Sequence, residues 1–110
     1  MGAAGVALAA LGAHRPGATG LTTAAYFLLF HAAAVLGCTA ASRETGRLVA
    51  WLGAASVLVI GTLVFSVDLG LIGLADARPV PLAAPIGGAV MIAGWLTVAV
   101  AAVLGEKRQQ

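Results

Sequence analysis

Charged side chains are scarce in this sequence, where Asp, Glu, Lys and Arg make up 9% of 110 residues. Soluble globular domains carry about a quarter charged residues, so the composition excludes an ordinary water-soluble enzyme. The six basic residues are too sparse for a nucleic-acid-binding surface, and we expect no nucleic-acid partner. A single cysteine, Cys38, excludes an internal disulfide and a metal site built from several cysteines. We expect Cys38 to be a small buried thiol.

The sequence contains four long runs without a charged residue. Hydrophobic residues account for 61% of the chain, and the mean hydropathy is +1.04. The uncharged runs cover 1–14, 16–42, 48–67 and 79–105. Three of them reach the ~18–20 residues that a helix needs to cross a bilayer. The sequence therefore predicts an integral membrane protein surrounded by the lipid bilayer, with an all-α fold: a small bundle of four transmembrane helices.

The four helices are predicted at about 2–14, 21–41, 48–70 and 85–105, within a single domain over residues 1–110. Pro85 suits the first turn of the fourth helix, where its missing N–H has no partner in any case. The connection before it contains Pro79 and Pro81 and cannot be helical throughout.

The first predicted helix is short. Gly2 to Ala13 would span about 18 Å as a helix, less than the hydrocarbon core of a bilayer. A secretory signal peptide would explain this, although the basic start of such a peptide is absent. A re-entrant or locally thinned arrangement is a second explanation. The third is a native start upstream of Met1, which is the one we expect.

The connections predict an orientation through their basic residues. If all four helices cross, the side of both termini carries Arg43, Arg47, Lys107 and Arg108, and the other side carries Arg15 and Arg78. Cytoplasmic loops carry the excess of Lys and Arg. Both termini are therefore expected in the cytoplasm, with the protein in a bacterial inner (plasma) membrane.

Small residues at a spacing of four predict the packing faces of two helices. In lipid, helices associate where small residues let their backbones approach. The stripes are Ala89, Ala93, Thr97, Ala101 and Gly105 in the fourth helix, and Ala33, Gly37 and Ala41 in the second. We interpret both as intramolecular faces; a seam between two copies is the alternative.

His31 lies near the middle of the second apolar run, roughly 15 Å from either end. An ionisable residue at that depth is a functional candidate. The structural alternative, which we favour, is a neutral imidazole hydrogen-bonded to a neighbouring helix, for instance to Tyr26, Thr62 or Ser66. A haem or metal held jointly with His14 is disfavoured because His14 belongs at the membrane interface. We expect no metal and no cofactor.

Asp68 closes the third apolar run, and its role depends on where the third helix ends. If the helix ends there, Asp68 is interfacial and pairs with Arg15 or His14. If it continues to Leu74, the carboxylate lies about a turn and a half inside and needs a partner or a proton. A relay to His31 would be weak with two groups, and 110 residues scarcely hold the repeats of a transporter.

Catalytic arrangements find no support in the spacing. Ser66, His31 and Asp68 include the residue types of a hydrolase triad without the spacing of one. The chain also lacks a Gly-rich phosphate loop, a cysteine pair of metal-binding type and a zinc-protease helix. We therefore expect no catalytic residues and no enzyme.

Four separated stretches resemble one family. They are Gly12-Ala13-His14, the run Y-F-L-L-F-H from Tyr26 to His31, the run G-T-L-V-F-S from Gly61 to Ser66, and Pro85-Ile86-Gly87-Gly88 followed by Gly94-Trp95. Their order and spacing resemble the YgdD/YwdK family of small bacterial membrane proteins, a domain of unknown function with animal relatives. The resemblance implies a small bundle of transmembrane helices and no established reaction.

The resemblance also sorts the candidate residues. Matching positions include the polar His14, His31 and Ser66, and the packing positions Gly12, Ala13, Pro85, Gly87, Gly88, Gly94 and Trp95. At Val67 and Asp68 the family tends to have glycine and a small polar residue, so a function of Asp68 would be peculiar to this chain. Family members usually have one or two more helical turns before the Gly-Ala-His stretch, which underlies the expected upstream start.

Two functional hypotheses remain. The first is a non-enzymatic accessory or scaffold component of a larger membrane complex, with other membrane-protein subunits as partners. It is motivated by the small size and the lack of a convergent polar site. The alternative is a small transport or ligand-binding bundle, for a proton, a haem or a lipid-like ligand, that uses His31 and His14.

Overall fold

The computed structural model describes residues 1–76 and 80–106 of the chain. Throughout these residues the fold is all-helical and contains no strand. The helices are α1 (Gly2–Ala13), α2 (Thr19–Thr45), α3 (Leu48–Ala75) and α4 (Ala83–Glu106). Arg78, Lys107 and Arg108, on which part of the predicted orientation depends, lie outside the described residues.

Three of the helices, α2, α3 and α4, are long and apolar enough to cross a membrane. The 12-residue α1 is shorter. The structure thus has the four helices that the hydropathy pattern predicts, the first of them short.

The ends of α2 and α3 lie beyond the predicted ones, because a membrane helix does not stop where its apolar run stops. α2 continues through Arg43 and Glu44 and ends at Gly46, which has a φ of 64°. α3 continues five residues past Gly70 and ends at Asp76, with a φ of 50°. Both end residues adopt the left-handed conformation that commonly terminates helices.

The helices pack in chain order, α1 against α2, α2 against α3 and α3 against α4. The molecule measures 54 × 26 × 15 Å. Helices that are not neighbours in the chain share few contacts among the described residues. Over its described residues the chain therefore forms a row of helices in chain order rather than a ring closed by α1 and α4.

Close approach of α3 and α4 depends on glycines. A Cβ atom on Gly87 would lie 2.6 Å from the backbone N of Phe65, and one on Gly61 would lie 2.7 Å from the backbone N of Met91. A Cβ on Gly94 would lie 2.7 Å from a methyl group of Leu58. These are the backbone contacts that small residues permit between helices in lipid.

The predicted packing stripes hold only near the C-terminal ends of the two helices. There Ala101 of α4 is 2% exposed and packs, together with the half-buried Ala41 of α2, in a cluster with Cys38 and Trp51. Ala89, Ala93 and Thr97 are exposed on α4, as are Ala33 and Gly37 on α2. The face of α4 that packs on α3 instead carries the buried Gly87, Met91 and Gly94. With 3.6 residues per turn, a strict spacing of four rotates by about 40° at each step, so such a stripe winds off the contact face.

Candidate functional site

His31 is buried in the interior of the helix row, with 5% of its surface exposed. Its Nδ1 lies 2.9 Å from the Phe27 carbonyl oxygen, and the indole N–H of Trp95 donates to its Nε2 at 3.2 Å. Because an indole N–H can only donate, Nε2 is the acceptor and Nδ1 carries the proton given to Phe27. Both ring nitrogens of this neutral imidazole are therefore occupied.

Trp95 is the partner that the sequence does not reveal. The structure bonds His31 to a neighbouring helix, but to α4 through Trp95 and not to Tyr26, Thr62 or Ser66. The two residues are 64 positions apart, and helical periodicity carries no information over that separation. Trp95 was one of the packing positions implied by the family resemblance, which is the only sequence signal that pointed to it.

An aromatic cluster surrounds this hydrogen bond and joins three helices. The Phe27 and His31 rings stack at 5.8 Å, and the Phe27 and Phe65 ring centroids lie 4.7 Å apart. The Trp95 ring centroid lies 6.0 Å from that of His31. Such ring pairs add roughly 0.5–1.5 kcal/mol each beyond their buried area. The cluster of Phe27, His31, Phe65 and Trp95 therefore ties α2, α3 and α4 together.

His14 does not join His31. It is exposed at the C-terminal end of α1, where its backbone N–H donates to the Leu11 carbonyl at 3.3 Å. His31 lies twelve residues beyond the first residue of α2, about 18 Å by helical rise. No group of three or more potential metal-ligating side chains occurs among the described residues.

Arg15 is bound to the end of α3 instead of to Asp68. Its guanidinium donates to the Gly73 carbonyl oxygen at 3.3 Å, at a helix end where a positive charge is favoured. It also lines a cleft of about 640 Å³ between the α1–α2 connection and the end of α3, with Asp76 on the other wall. The predicted ion pair of Asp68 with Arg15 or His14 is not formed.

Asp68 lies inside the membrane-spanning part of α3. The helix continues to Ala75, seven residues further, so the second of the two predicted situations applies. The side chain is 3% exposed, and neither carboxylate oxygen has a hydrogen-bond partner in the described structure. Asp68 is thus the one candidate residue whose buried polar atoms the fold leaves unpaired.

Ser66 is used in helix packing. It is 3% exposed, and its hydroxyl donates across to the Ala24 carbonyl oxygen on α2 at 3.4 Å. Its hydroxyl is therefore occupied by an interhelical bond.

The glycine and tryptophan positions implied by the resemblance are mostly contact points between helices. A Cβ on Gly12 would lie 2.8 Å from the Thr22 hydroxyl of α2, and Gly87 and Gly94 touch α3. Around Gly88 nothing lies within 4 Å of an added Cβ, and Ala13 and Pro85 are exposed. The motifs therefore mark where α1 meets α2, α2 meets α4 and α3 meets α4.

A family described as protein of unknown function (DUF423) matches residues 8–88 of this chain. The chain belongs to this family. The inner membrane protein YgdD of Escherichia coli K12 is 33% identical over 106 residues, which cover 89% of this chain and 79% of YgdD. The YgdD proteins of Escherichia coli O157:H7 and Shigella flexneri match to the same extent. No solved structure gives a significant match.

Membership of the DUF423 family agrees with the resemblance read from the four motifs. The matched range includes the Gly-Ala-His stretch, the aromatic-to-histidine stretch, the Gly61–Ser66 run and Pro85–Gly88. Trp95 lies beyond it, although the longer match to YgdD covers most of the chain. The chain is therefore a membrane protein of a family without an assigned activity.

Proposed function

We propose that this chain is a non-enzymatic accessory or scaffold component of a larger complex in the bacterial inner membrane. The observation that carries the proposal is that the buried polar side chains of His31 and Ser66 are already hydrogen-bonded within the protein. Both nitrogens of His31 and the hydroxyl of Ser66 are bonded within the protein, which leaves them no free atom for chemistry. What the fold offers to other molecules is chiefly its outer surface.

The shape of the molecule supports the same proposal. The row of helices exposes large apolar side chains along its outer faces. Examples are Phe30 at 68%, Leu36 at 71% and Ile92 at 66% exposure. Such faces can be covered by lipid or by the helices of a partner. An open row provides more of this surface for its size than a closed ring of four helices.

The placement in the membrane belongs to the proposal. All four helices cross the bilayer, which thins locally around the short α1. Both termini lie in the cytoplasm, on the side of Arg43 and Arg47. The YgdD relative is itself an inner membrane protein.

The alternative, a transport or ligand-binding bundle that uses His31 and His14, has less support. It needs a free ring nitrogen beside a polar cavity at mid-membrane. His31 has neither nitrogen free, and His14 lies at the end of α1. We therefore do not favour this function.

Purification from native membranes tests the proposal. The tagged chain is cross-linked briefly in intact cells, extracted in mild detergent and analysed by quantitative mass spectrometry. We expect a second membrane protein in stoichiometric amount. An unrelated inner membrane protein with the same tag and similar hydropathy is the control. Isolation of the chain alone, or with the same background as the control, would contradict the proposal.

A further inference from the structure

An apolar groove lies between α3 and the start of α4, with Asp68 in its wall. Its volume is about 350 Å³, within the roughly 300–1,000 Å³ typical of small-molecule sites. Apart from Asp68, the lining consists of Leu63, Val64, Val67, Leu71, Val80 and Ala83. Six apolar side chains thus surround one carboxyl group.

The carboxyl group of Asp68 lacks what a buried acid requires. Only 3% of its surface is exposed, and neither oxygen accepts a hydrogen bond in the described structure. An ionised carboxyl is a pure acceptor with about four acceptor positions. Leaving those positions empty away from water is costly. The site therefore requires a ligand that supplies N–H donors, and a positively charged ligand satisfies the carboxylate best.

The start of α4 does not supply these donors. Ala83 begins α4 and lines the same groove, so the partial positive charge of the helix N-terminus lies at the groove that holds the acid. The Ala83 N–H, however, donates to the Val80 carbonyl oxygen at 3.0 Å, and the Ile86 N–H donates to that of Leu82 at 3.0 Å. Pro85 has no N–H to offer. The helix end favours a negative charge here without satisfying its oxygens.

The groove is accessible from the bilayer. Leu63 is 43% exposed, Val67 57%, Leu71 37% and Val80 54%, and these side chains form its walls. From Leu63 to Leu71 the groove runs about 12 Å along α3. A ligand that fills it would enter from the lipid and lay an apolar chain along these walls. The Asp68 oxygens are each less than 1 Å² exposed, so the polar end of the ligand reaches them when the Asp68 side chain turns toward the groove.

We propose that this groove binds an amphiphilic primary ammonium ion, with the ammonium group on the Asp68 carboxylate and the alkyl chain along the wall of α3. A primary ammonium carries three N–H donors, which can serve both unpaired oxygens, whereas a quaternary ammonium has charge and no donor. The site does not rest on the accessory function proposed above, because it is argued from the unpaired carboxyl group of Asp68, which that function does not use.

Titration with dodecylamine tests the site. The full chain is held in a non-ionic detergent, with the methyl groups of Leu, Val and Ile labelled for NMR. We expect saturable shifts at Leu63, Val67 and Val80, and none at Leu36 and Ile92, which are exposed elsewhere. Dodecyltrimethylammonium should bind at least about tenfold more weakly, since hydrogen bonds to a charged group are lost. This comparison needs no variant.

Variants separate the acid from general partitioning of the amine. Asp68→Asn should weaken dodecylamine binding at least about tenfold. Asp76→Asn is the matched control. Asp76 ends α3 with a φ of 50°, a conformation that asparagine also adopts. The affinity of this variant for dodecylamine should be unchanged. Circular dichroism shows whether each variant keeps its helices. Arg78→Gln, outside the described residues, should also leave the affinity unchanged.

Several outcomes would overturn the proposal. Shifts at all exposed methyl groups alike would show partitioning into the micelle. Equal binding by wild type and Asp68→Asn, or equal affinity for the primary and quaternary ions, would remove the role of the carboxylate. Tighter binding by Arg78→Gln would show that the chain supplies its own cation. If no saturable shifts appear, the groove does not bind the amine, and Asp68 is instead protonated or paired with a partner helix.

Discussion

The buried polar side chains of this protein fall into two groups. His31, Ser66 and Thr62 have hydrogen-bond partners, whereas the carboxylate of Asp68 has none in the described structure. Inside a bilayer no water replaces a missing partner. At the scale of the residue, the first group is therefore interpreted as structural, and Asp68 as the position where another molecule completes the fold.

The His31–Trp95 hydrogen bond should be measurable as a coupling between two residues. Trp95→Phe keeps an aromatic ring and removes the indole donor, leaving Nε2 of His31 unpaired. We expect a destabilisation of about 1 kcal/mol, near the measured range for hydrogen bonds between membrane helices. Unfolding in mixed detergent micelles, followed by circular dichroism, gives the free energy.

A double-mutant cycle isolates this bond from the rest of the indole. In a His31→Leu background, Trp95→Phe should cost clearly less than in the wild type, because the acceptor is already gone. If the effects of the two substitutions on the free energy of unfolding are additive, the hydrogen bond contributes nothing to stability. His31 is then again a candidate for a functional role.

At the scale of the element, α3 and α4 are held together by backbone contact at two glycines. An added Cβ at Gly87 would lie 2.6 Å from the backbone N of Phe65 and 2.8 Å from the Gly61 carbonyl oxygen. Backbone atoms inside a helix cannot move aside individually. Any side chain at Gly87 therefore has to push the two helices apart.

Gly87→Ala and Gly88→Ala form a matched pair of neighbouring substitutions. Gly87→Ala should destabilise the protein by about 1–3 kcal/mol through overpacking. Gly88→Ala meets nothing within 4 Å and should be neutral or stabilise by up to about 1 kcal/mol through helix propensity. Thermal unfolding of both variants under the same conditions checks the difference. Equal effects would show that α3 and α4 are not in the contact described.

The sequence predicts the helices well and their contacts poorly. Apolar length determines that α2, α3 and α4 exist, because a bilayer requires about twenty apolar residues. It does not determine their ends, which are set by the left-handed Gly46 and Asp76. The contacts between helices cannot be predicted for a further reason. In lipid both the packed and the exposed faces are apolar, so periodicity does not distinguish them.

The candidate site could be predicted only as a set of residues. His31 and Asp68 were recognisable because ionisable groups inside apolar runs are rare. Their surroundings depend on residues distant in the chain: Trp95 for His31, and Val80 and Ala83 for Asp68. The difference between an occupied imidazole and an unpaired carboxylate appears only when the helices are placed side by side.

At the scale of the whole molecule, the proposed orientation predicts on which side of the membrane each connection lies. Single cysteines are introduced at Pro16, in the α1–α2 connection, and at Glu44, in the last turn of α2, in a Cys38→Ser background. Both positions are exposed. With the termini in the cytoplasm, an impermeant maleimide should label Pro16→Cys in intact spheroplasts and Glu44→Cys only after lysis.

The reverse labelling pattern would place both termini outside and contradict the orientation drawn from the basic residues. Labelling of both positions on the same side would show that α2 does not cross the membrane. Lysis before labelling, which should expose both cysteines, serves as the control for reactivity.

The chain-order packing of the row has a consequence for biosynthesis. Since each helix packs mainly on the one before it, every helix leaving the ribosome meets its partner already in the membrane. Contacts between neighbouring helices are short in sequence and favour fast folding. The His31–Trp95 bond, like the contacts between α3 and α4, must wait until α4 has been inserted. That bond therefore marks the completion of folding, and its loss should delay the last step without blocking the earlier ones.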